Sequence, residues 1–348
     1  MKVTINDVAK LAGVSMKTVS RVINNEPSVR KKTYDTVMGA VKELNYQPNL
    51  AARNLAGTSS FTIGLVYDNP NAYYVIDMQN GVLSRCRKEG YELVIHPCHY
   101  HDDNMVDEFQ TMIKRSRLAG LVLTPPLSEQ NDIIELLESM GIEYVRILSG
   151  RPHHESSNGE VDTRKNCIYV NDYAASYEIT EHLIRHGHTK IAFLCGDEEH
   201  KSTSERLKGY QDALKDSKIA LDDALVYQGN YSFESGVNGA KHFLDKGNKH
   251  CITALMGGND EIAAGALFAA RLMNIAIPQS LSITGFEDSP FSKQTWPKLT
   301  TAHQENDVIS QHAARLLFSK IRGPRNLDKE ILTVFTPSMV VRESSNSI

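Results

Sequence analysis

Apolar positions recur at helical spacing through the first sixty residues and then give way to short apolar runs separated by amphipathic stretches, so two kinds of structure are expected along this chain of 348 residues. Thr4 is placed to cap a helix over Ile5 to Ala12, with Asp7 three residues on for a capping-box-like pairing and Val8, Leu11 and Ala12 on one face. Gly13-Val14 breaks that helix. Ser15 then caps a second one from about Met16 to Asn24, with Val19, Val22 and Ile23 turned inward and Lys17, Ser20, Arg21 and Asn24 outward. A third, from about Lys31 to Leu44, brings Val37, Met38, Val41 and Leu44 to complete a three-helix core. After Tyr46-Gln47-Pro48, Asn49 caps the run Leu50 to Ala56, which Gly57 stops. Two turns of helix are marginal alone, below the roughly 12–15 residues an isolated helix needs, so this piece forms only where something buries it.

From Phe61 the pattern is one of repeated β-α units. Strands are expected at Thr62–Val66, Glu92–Ile95, Gly120–Thr124, Tyr144–Arg146, Ile168–Val170, Lys190–Leu194, Ala254–Met256 and Ser282–Phe286, with helices such as Ala174–Arg185 and Asp260–Met273 between them. So long a β-α alternation suggests two lobes with a ligand cleft at the carboxyl ends of the strands.

Composition is that of an ordinary folded protein, with 41% hydrophobic and 23% charged residues, which excludes a disordered chain. No apolar run approaches the roughly 20 residues needed to span a bilayer, and the N-terminus lacks a secretory signal pattern, so a cytoplasmic location with no membrane partner is expected. Five cysteines (Cys86, Cys98, Cys167, Cys195, Cys251) without CxxC spacing fit reduced, structural thiols. Charge changes the picture more. Residues 1–60 hold nine Lys and Arg against four Asp and Glu, a surplus of +5, so the remainder carries −9 of the overall −4. A small basic module on an acidic body suits a DNA reader that must not adhere to DNA with its whole surface. Two short helices across a tight turn form a helix-turn-helix, whose second helix enters the major groove and meets base edges with its N-terminal side chains. Met16, Lys17 and Arg21 are the candidate readers.

The run Thr-Ile-Asn-Asp-Val-Ala-Lys-Leu-Ala-Gly-Val-Ser-Met-Lys-Thr-Val-Ser-Arg-Val-Ile-Asn, with Leu-Asn-Tyr-Gln-Pro-Asn-Leu-Ala-Ala-Arg-Asn-Leu-Ala-Gly after it, resembles the lactose/galactose repressor family. The resemblance implies a DNA-facing set of Ile5, Ser15, Met16, Lys17, Thr18, Ser20, Arg21 and Asn24. It also implies a hinge helix, with Asn49 and Ala52, that pairs with its dimer mate in the minor groove and wedges Leu55 into the central base step. An apolar wedge there accepts an unstacking cost in return for a bent, better-wrapped duplex. The headpiece would occupy 1–47, the hinge and linker 48–60, and the core 61–348.

Downstream, Glu-His-Leu-Ile-Arg-His-Gly-His-Thr-Lys-Ile-Ala-Phe-Leu-Cys-Gly, Arg-Leu-Lys-Gly-Tyr, Gly-Asn-Asp-Glu-Ile-Ala-Ala-Gly and Ser-Ile-Thr-Gly-Phe-Glu-Asp are similar to the effector core of that family, itself like periplasmic sugar-binding proteins. The implied fold class is an all-α helix-turn-helix headpiece plus a two-lobed α/β core of two doubly wound parallel sheets. The lobes would interleave, with one at about 61–166 and 291–323 and the other at about 167–290 and 324–342. Sugars need charged or amide groups for their hydroxyls and flat apolar faces for their C–H surfaces. By family position these are Asp68, Asn69, Arg206, Asn259 and Glu287, with stacking faces from Tyr231, Phe286 and Tyr73, Gln304 near a lobe crossing, and Arg146 at a strand end. Where the family commonly has aspartate, this chain has Glu287, one methylene longer.

His96, Cys98, His99 and His101 gather four possible metal ligands in a few residues, but the spacing is no known zinc box and a strand leaving its sheet into a polar loop explains it equally well. No metal and no cofactor is expected. GxxxxGK[ST], GxSxG, HExxH and GxGxxG are all missing from the sequence, which argues against an enzyme. A transport-type sugar-binding protein is the alternative, and it would need a signal peptide and no basic headpiece. The expected partners are a pseudopalindromic operator in double-stranded DNA, a small sugar, and a second copy of the chain in a homodimer, its face by resemblance on the helix from about Tyr73 to Lys88. A strand-like Ser338–Arg342 with no leucine heptads after it favours a dimer over a tetramer.

Overall fold

The computed structural model describes residues 3–23, 29–46, 60–69, 71–102, 104–151, 166–245, 251–323 and 330–348. The chain divides between Phe61 and Thr62 into two units. In the first, helices Ile5–Ala12, Met16–Ile23 and Lys31–Glu43 form where the capping residues place them. The Thr4 backbone N–H and hydroxyl donate to the Asp7 carboxylate at 2.9 and 2.7 Å, and Gly13 ends the first helix at φ 64°, a left-handed conformation that favours glycine. Val8, Ala9, Val19, Val22, Val37 and Ala40 are buried together, with Ile5, Val14, Ile23, Val41 and Leu44 packed around them. Leu11 and Met38, expected inside, are 46% and 37% exposed, because this core is narrow and small residues such as Ala9 and Ala40 fill it instead. The expected hinge helix, with Asn49, Ala52 and Leu55, and Asn24 of the second helix lie outside the described residues.

The second unit holds two parallel sheets. One runs in the order β11-β5-β4-β3-β1-β2, with β1 Thr62–Tyr67, β2 Glu92–Pro97, β3 Gly120–Leu123, β4 Glu143–Ser149, β5 Cys167–Val170 and β11 Val334–Phe335. The other runs β7-β6-β8-β9, with β6 Ile191–Leu194, β7 Val226–Tyr227, β8 Ala254–Gly257 and β9 Ser282–Thr284. Each sheet is apolar on both faces, as parallel sheets covered by helices must be. Ile63, Val122 and Leu317 stand in the cluster on one side of the first sheet, and Leu121, Phe109 and Ile133 on the other. The second sheet divides likewise between a cluster with Leu255 and Ile283 and one with Phe193 and Met256. Helices pack closely where glycine allows it. A Cβ at Gly236 would lie 2.0 Å from the Ile262 carbonyl oxygen, so the helices Phe233–Leu244 and Asp260–Leu272 meet backbone to backbone.

The chain passes between lobes three times, each time later than the sequence suggests. The crossing expected near Asn166 follows Val170, because Cys167–Val170 pairs with β4 in the first sheet. The crossing expected near Pro290 falls at Gln304. Until there, the chain stays with the second lobe through Thr300 and β10 Thr301–His303, where the Thr300 and Ala302 carbonyls accept from Gly285 and Glu287 N–H. Helix Asn306–Ile321 then returns to the first lobe, where Ile309, Ala313 and Leu317 enter its core. The third crossing, expected after Gly323, comes after Phe335, once β11 has paired with β5; β12 Ser338–Val340 then pairs antiparallel with β10. Among the described residues no helix is long and apolar enough to cross a membrane. Cys86, Cys98, Cys167 and Cys195 are buried free thiols, and burial pushes those of Cys86, Cys98 and Cys195 up to about 12, so they are inert at neutral pH.

Candidate functional site

In the first unit, Ser15 opens the second helix by accepting from the Thr18 N–H at 3.2 Å, and the two hydroxyls lie 2.9 Å apart. Met16, Lys17, Ser20 and Arg21 follow on the face opposite Val19, Val22 and Ile23, with Met16 50% exposed and Lys17 exposed. An exposed, N-terminally capped helix face carrying two cations is what base-edge and phosphate contact require. Ile5 is placed differently: its side chain packs on the core of the unit.

Between the two lobes of the core lies a narrow cavity, walled by β-to-α turns at the carboxyl ends of the strands. About 40 Å³ of space remains in it, room for about three or four waters at roughly 10–15 Å³ each and too little for a sugar ring without opening. Arg206 stands at its centre, on helix Lys201–Asp216, and is buried. Its Nε donates to Asp172 Oδ1 at 2.8 Å and its Nη1 to the Gly258 carbonyl at 2.6 Å, with Glu287 Oε1 3.8 Å from Nη1. The guanidinium lies over the Phe286 ring, 3.8 Å from its centroid. Burial works against the Arg206 charge, but Asp172, Tyr231 and Glu287 outweigh it and hold the group above its ordinary range. For Glu287, burial prevails over the pull of Arg206 and pushes the carboxyl up to about 8. Its backbone sits at φ 102°, a conformation glycine favours and glutamate adopts only under constraint.

Polar contacts cross the cavity. Asn71 Nδ2 donates to Glu287 Oε2 at 2.8 Å, and the Ser149 hydroxyl donates to Asp172 Oδ2. At the rim Glu129 Oε2 accepts from the Lys201 N–H at 3.3 Å, and His101 Nε2 lies 2.6 Å from Glu199 Oε2. Two buried atoms in the lining have no partner, the donor Asn259 Nδ2 and the acceptor Gln304 Oε1. Their orientation is fixed by the other half of each amide: Asn259 Oδ1 caps the helix Asp260–Leu272 by accepting from Ile262 N–H at 2.9 Å, and Gln304 Nε2 donates to Asn306 Oδ1 at 2.7 Å.

Of the residues expected from sequence, Asn69, Arg206, Tyr231, Asn259, Glu287 and Gln304 line this cavity. Tyr231 presses its ring on the Gly196 backbone, where a Cβ would lie 2.2 Å from it, and its hydroxyl lies 3.0 and 2.9 Å from those of Ser202 and Thr203. Four others do not line it. Phe286 is fully buried beneath Arg206, so it supports the cation rather than offering a stacking face. Tyr73 meets Phe291 edge-on in an adjoining groove, and its neighbour Tyr74 faces the cavity instead. Asp68 accepts from the Tyr100 N–H at 2.8 Å. Arg146 is the fourth residue of a strand that continues to Ser149, so it is no strand end, and its Nε is bound to the Ser128 carbonyl. The His-rich run separates: His99 approaches Asp68, His101 approaches Glu199, and among the described residues no three metal-ligating side chains converge. Sequence reasoning missed Asn71, Ser149 and Asp172, each of which sits at the carboxyl end of a strand or the first turn of the helix after it.

Residues 4–49 match the family model for bacterial regulatory proteins of the lacI family, and residues 180–345 match a periplasmic binding protein-like domain. The regulator GalR of Escherichia coli (strain K12) is 34% identical over 343 residues, which span 98% of this chain and 95% of that protein. The chain belongs to the lacI family. Two solved structures of similar proteins agree in fold: the lac repressor dimer bound to operator and the anti-inducer ONPF, with TM-score 0.73, 26% identity and 100% of both chains covered, and a CelR–cellobiose complex, with TM-score 0.69, 26% identity and 98% and 99% covered. As a lacI-family member this chain is a transcriptional regulator with a DNA-binding helix-turn-helix headpiece and a periplasmic-binding-protein-like core, and the relatives found are regulators rather than enzymes.

Proposed function

We propose that this regulator is a cytoplasmic repressor of carbohydrate-utilisation genes whose operator affinity is set by a small sugar held between the lobes of its core. The observation that carries the reading is the pair of unpartnered buried amide atoms, Asn259 Nδ2 and Gln304 Oε1, lining one interlobe cavity with Arg206 and Glu287. A buried unsatisfied polar atom is disfavoured by about 1–3 kcal/mol, and a hydroxyl-rich ligand relieves that penalty at both atoms at once. The homodimer reads two half-sites of a pseudopalindromic operator through Met16, Lys17, Ser20 and Arg21, while the hinge carrying Asn49, Ala52 and Leu55 bends the centre. A ligand that binds one arrangement of the lobes more tightly shifts the protein between states of high and low operator affinity. The CelR–cellobiose complex gives a sugar precedent in a similar protein, and the lac repressor–operator complex gives one for dimeric DNA binding.

The test is selection of operator fragments from genomic DNA by the purified protein, then titration of the best fragment by fluorescence anisotropy with and without each of a panel of mono- and disaccharides. A sugar that changes operator affinity at least ten-fold is expected. A panel with no effect on a tightly bound operator would overturn the effector reading and leave the DNA reading standing.

A further inference from the structure

The cavity also carries information about the charge of what it binds, an inference that rests on the sugar-effector reading above. Among the described lining residues Arg206 is the permanent cation, and two of its five N–H donors are taken by Asp172 and the Gly258 carbonyl. His200, the imidazole in the lining, is held below its ordinary range by burial and is neutral. Lys201 stands outside the lining, beside the Glu129 carboxyl. Against one cation stand two carboxyls, Asp172 and Glu287, so the lining is either neutral, with a proton on Glu287, or negative by one charge. Neither state attracts an anion. The unsatisfied groups agree: one is a donor and one an acceptor, and a hydroxyl, which donates and accepts, satisfies both. A phosphate or carboxylate offers only acceptors and would set oxygen against Gln304 Oε1.

Glu287 is built into this arrangement. Its backbone is constrained at φ 102°, Asn71 fixes Oε2 from the opposite lobe, and its reach brings Oε1 within 3.8 Å of Arg206, where in its ionised form it competes for the charge an anionic ligand would use. We propose that the cleft selects an uncharged, hydroxyl-bearing ligand against its phosphorylated or carboxylated analogues, and that Glu287 is the residue that enforces this choice.

The experiment is isothermal titration of the full-length protein with glucose, galactose, ribose and cellobiose, and with glucose 6-phosphate, galactose 1-phosphate, ribose 5-phosphate and glucuronate. The wild type is expected to bind at least one neutral sugar about ten-fold or more tightly than its charged counterpart. At about pH 9, where the wild-type carboxyl is ionised, Glu287→Gln, which keeps an oxygen for Asn71, is expected to narrow that ratio by about ten-fold, mainly by strengthening the charged ligand. A wild type that binds a phosphate or glucuronate as tightly as the neutral parent overturns the proposal while the sugar reading survives, and it needs no variant to fold. An unchanged ratio in folded Glu287→Gln removes Glu287 from the assignment. No binding by either series overturns the sugar reading and this inference with it.

Discussion

The second lobe brings to the cleft an ionic wall, Asp172, Arg206 and Glu287 backed by Phe286, whereas the first lobe faces it with Asn69, Asn71, Tyr74 and Ser149, none of them charged. Both sets stand at β-to-α turns, so position in the fold does not explain the contrast. Charge buried on one wall is neutralised within that wall, and the lobe carrying it can form its site without the other. Neutral groups opposite then touch the ionic wall through single hydrogen bonds, Asn71 to Glu287 and Ser149 to Asp172, each replaceable by a ligand hydroxyl of similar strength. Under the proposed function, one wall holds the charge that recognises the ligand and the other registers whether the cleft is closed.

The sharpest way to break this contrast is Arg206→Ala. It strands two buried carboxyls, and the expected loss is about 3–5 kcal/mol of core stability together with effector binding, measured by urea unfolding and calorimetry. A loss near zero would show that the wall is not an integral network. Next comes pH. Glu287 is pushed from 4.5 up to about 8 by burial, and Asp260 and Glu129 up to about 7. A carboxyl that keeps its proton in the folded state while the unfolded chain releases it disfavours folding progressively as pH rises. Core stability should therefore fall between pH 4.5 and about 8, and Glu287→Gln should flatten that slope by a few kcal/mol, to an order of magnitude. A slope identical in wild type and variant would remove Glu287 as its source. The smallest effect is expected on the neutral wall. Asn71→Ala removes the bond to Glu287 and the cap on helix Ala72–Glu89, which accepts from Tyr73 and Tyr74 N–H, and should cost about 1–2 kcal/mol. If it cost as much as Arg206→Ala, the two walls would not differ in kind.

The contrast also marks how far the sequence could be read. The headpiece was legible to within a residue at its described helix ends, because caps at Thr4 and Ser15 and a stop at Gly13 are local chemistry. On the ionic wall Arg206, Asn259 and Glu287 stood out through motifs. Asn71 and Ser149 carry no such mark. Asparagine before an amphipathic run is an ordinary cap, and only the approach of the opposite lobe turns it toward a carboxyl 216 residues away. Arg146 falls outside the cleft for the converse reason: its strand runs three residues beyond the end the sequence suggests, and a strand's exit decides which side chain meets a cleft. The crossings fall later than the sequence suggests because short pairings such as Cys167–Val170 and Val334–Phe335 depend on partners distant in sequence rather than on any local signal.

Three passages of the chain between lobes have a consequence for proteolysis. The second lobe is closed by a segment that reaches it only after the chain has visited the first lobe a second time. Ser344 accepts from Ile283 and Thr300, Asn346 bonds Ser282 and the His188 ring, and the Ile348 N–H donates to the His186 carbonyl. A chain cut between β11 and β12 would keep every strand of both parallel sheets but lose the segment that closes the second lobe, so that lobe depends on contacts far apart in sequence. The headpiece, whose core is made within its own three helices, would survive the same cut.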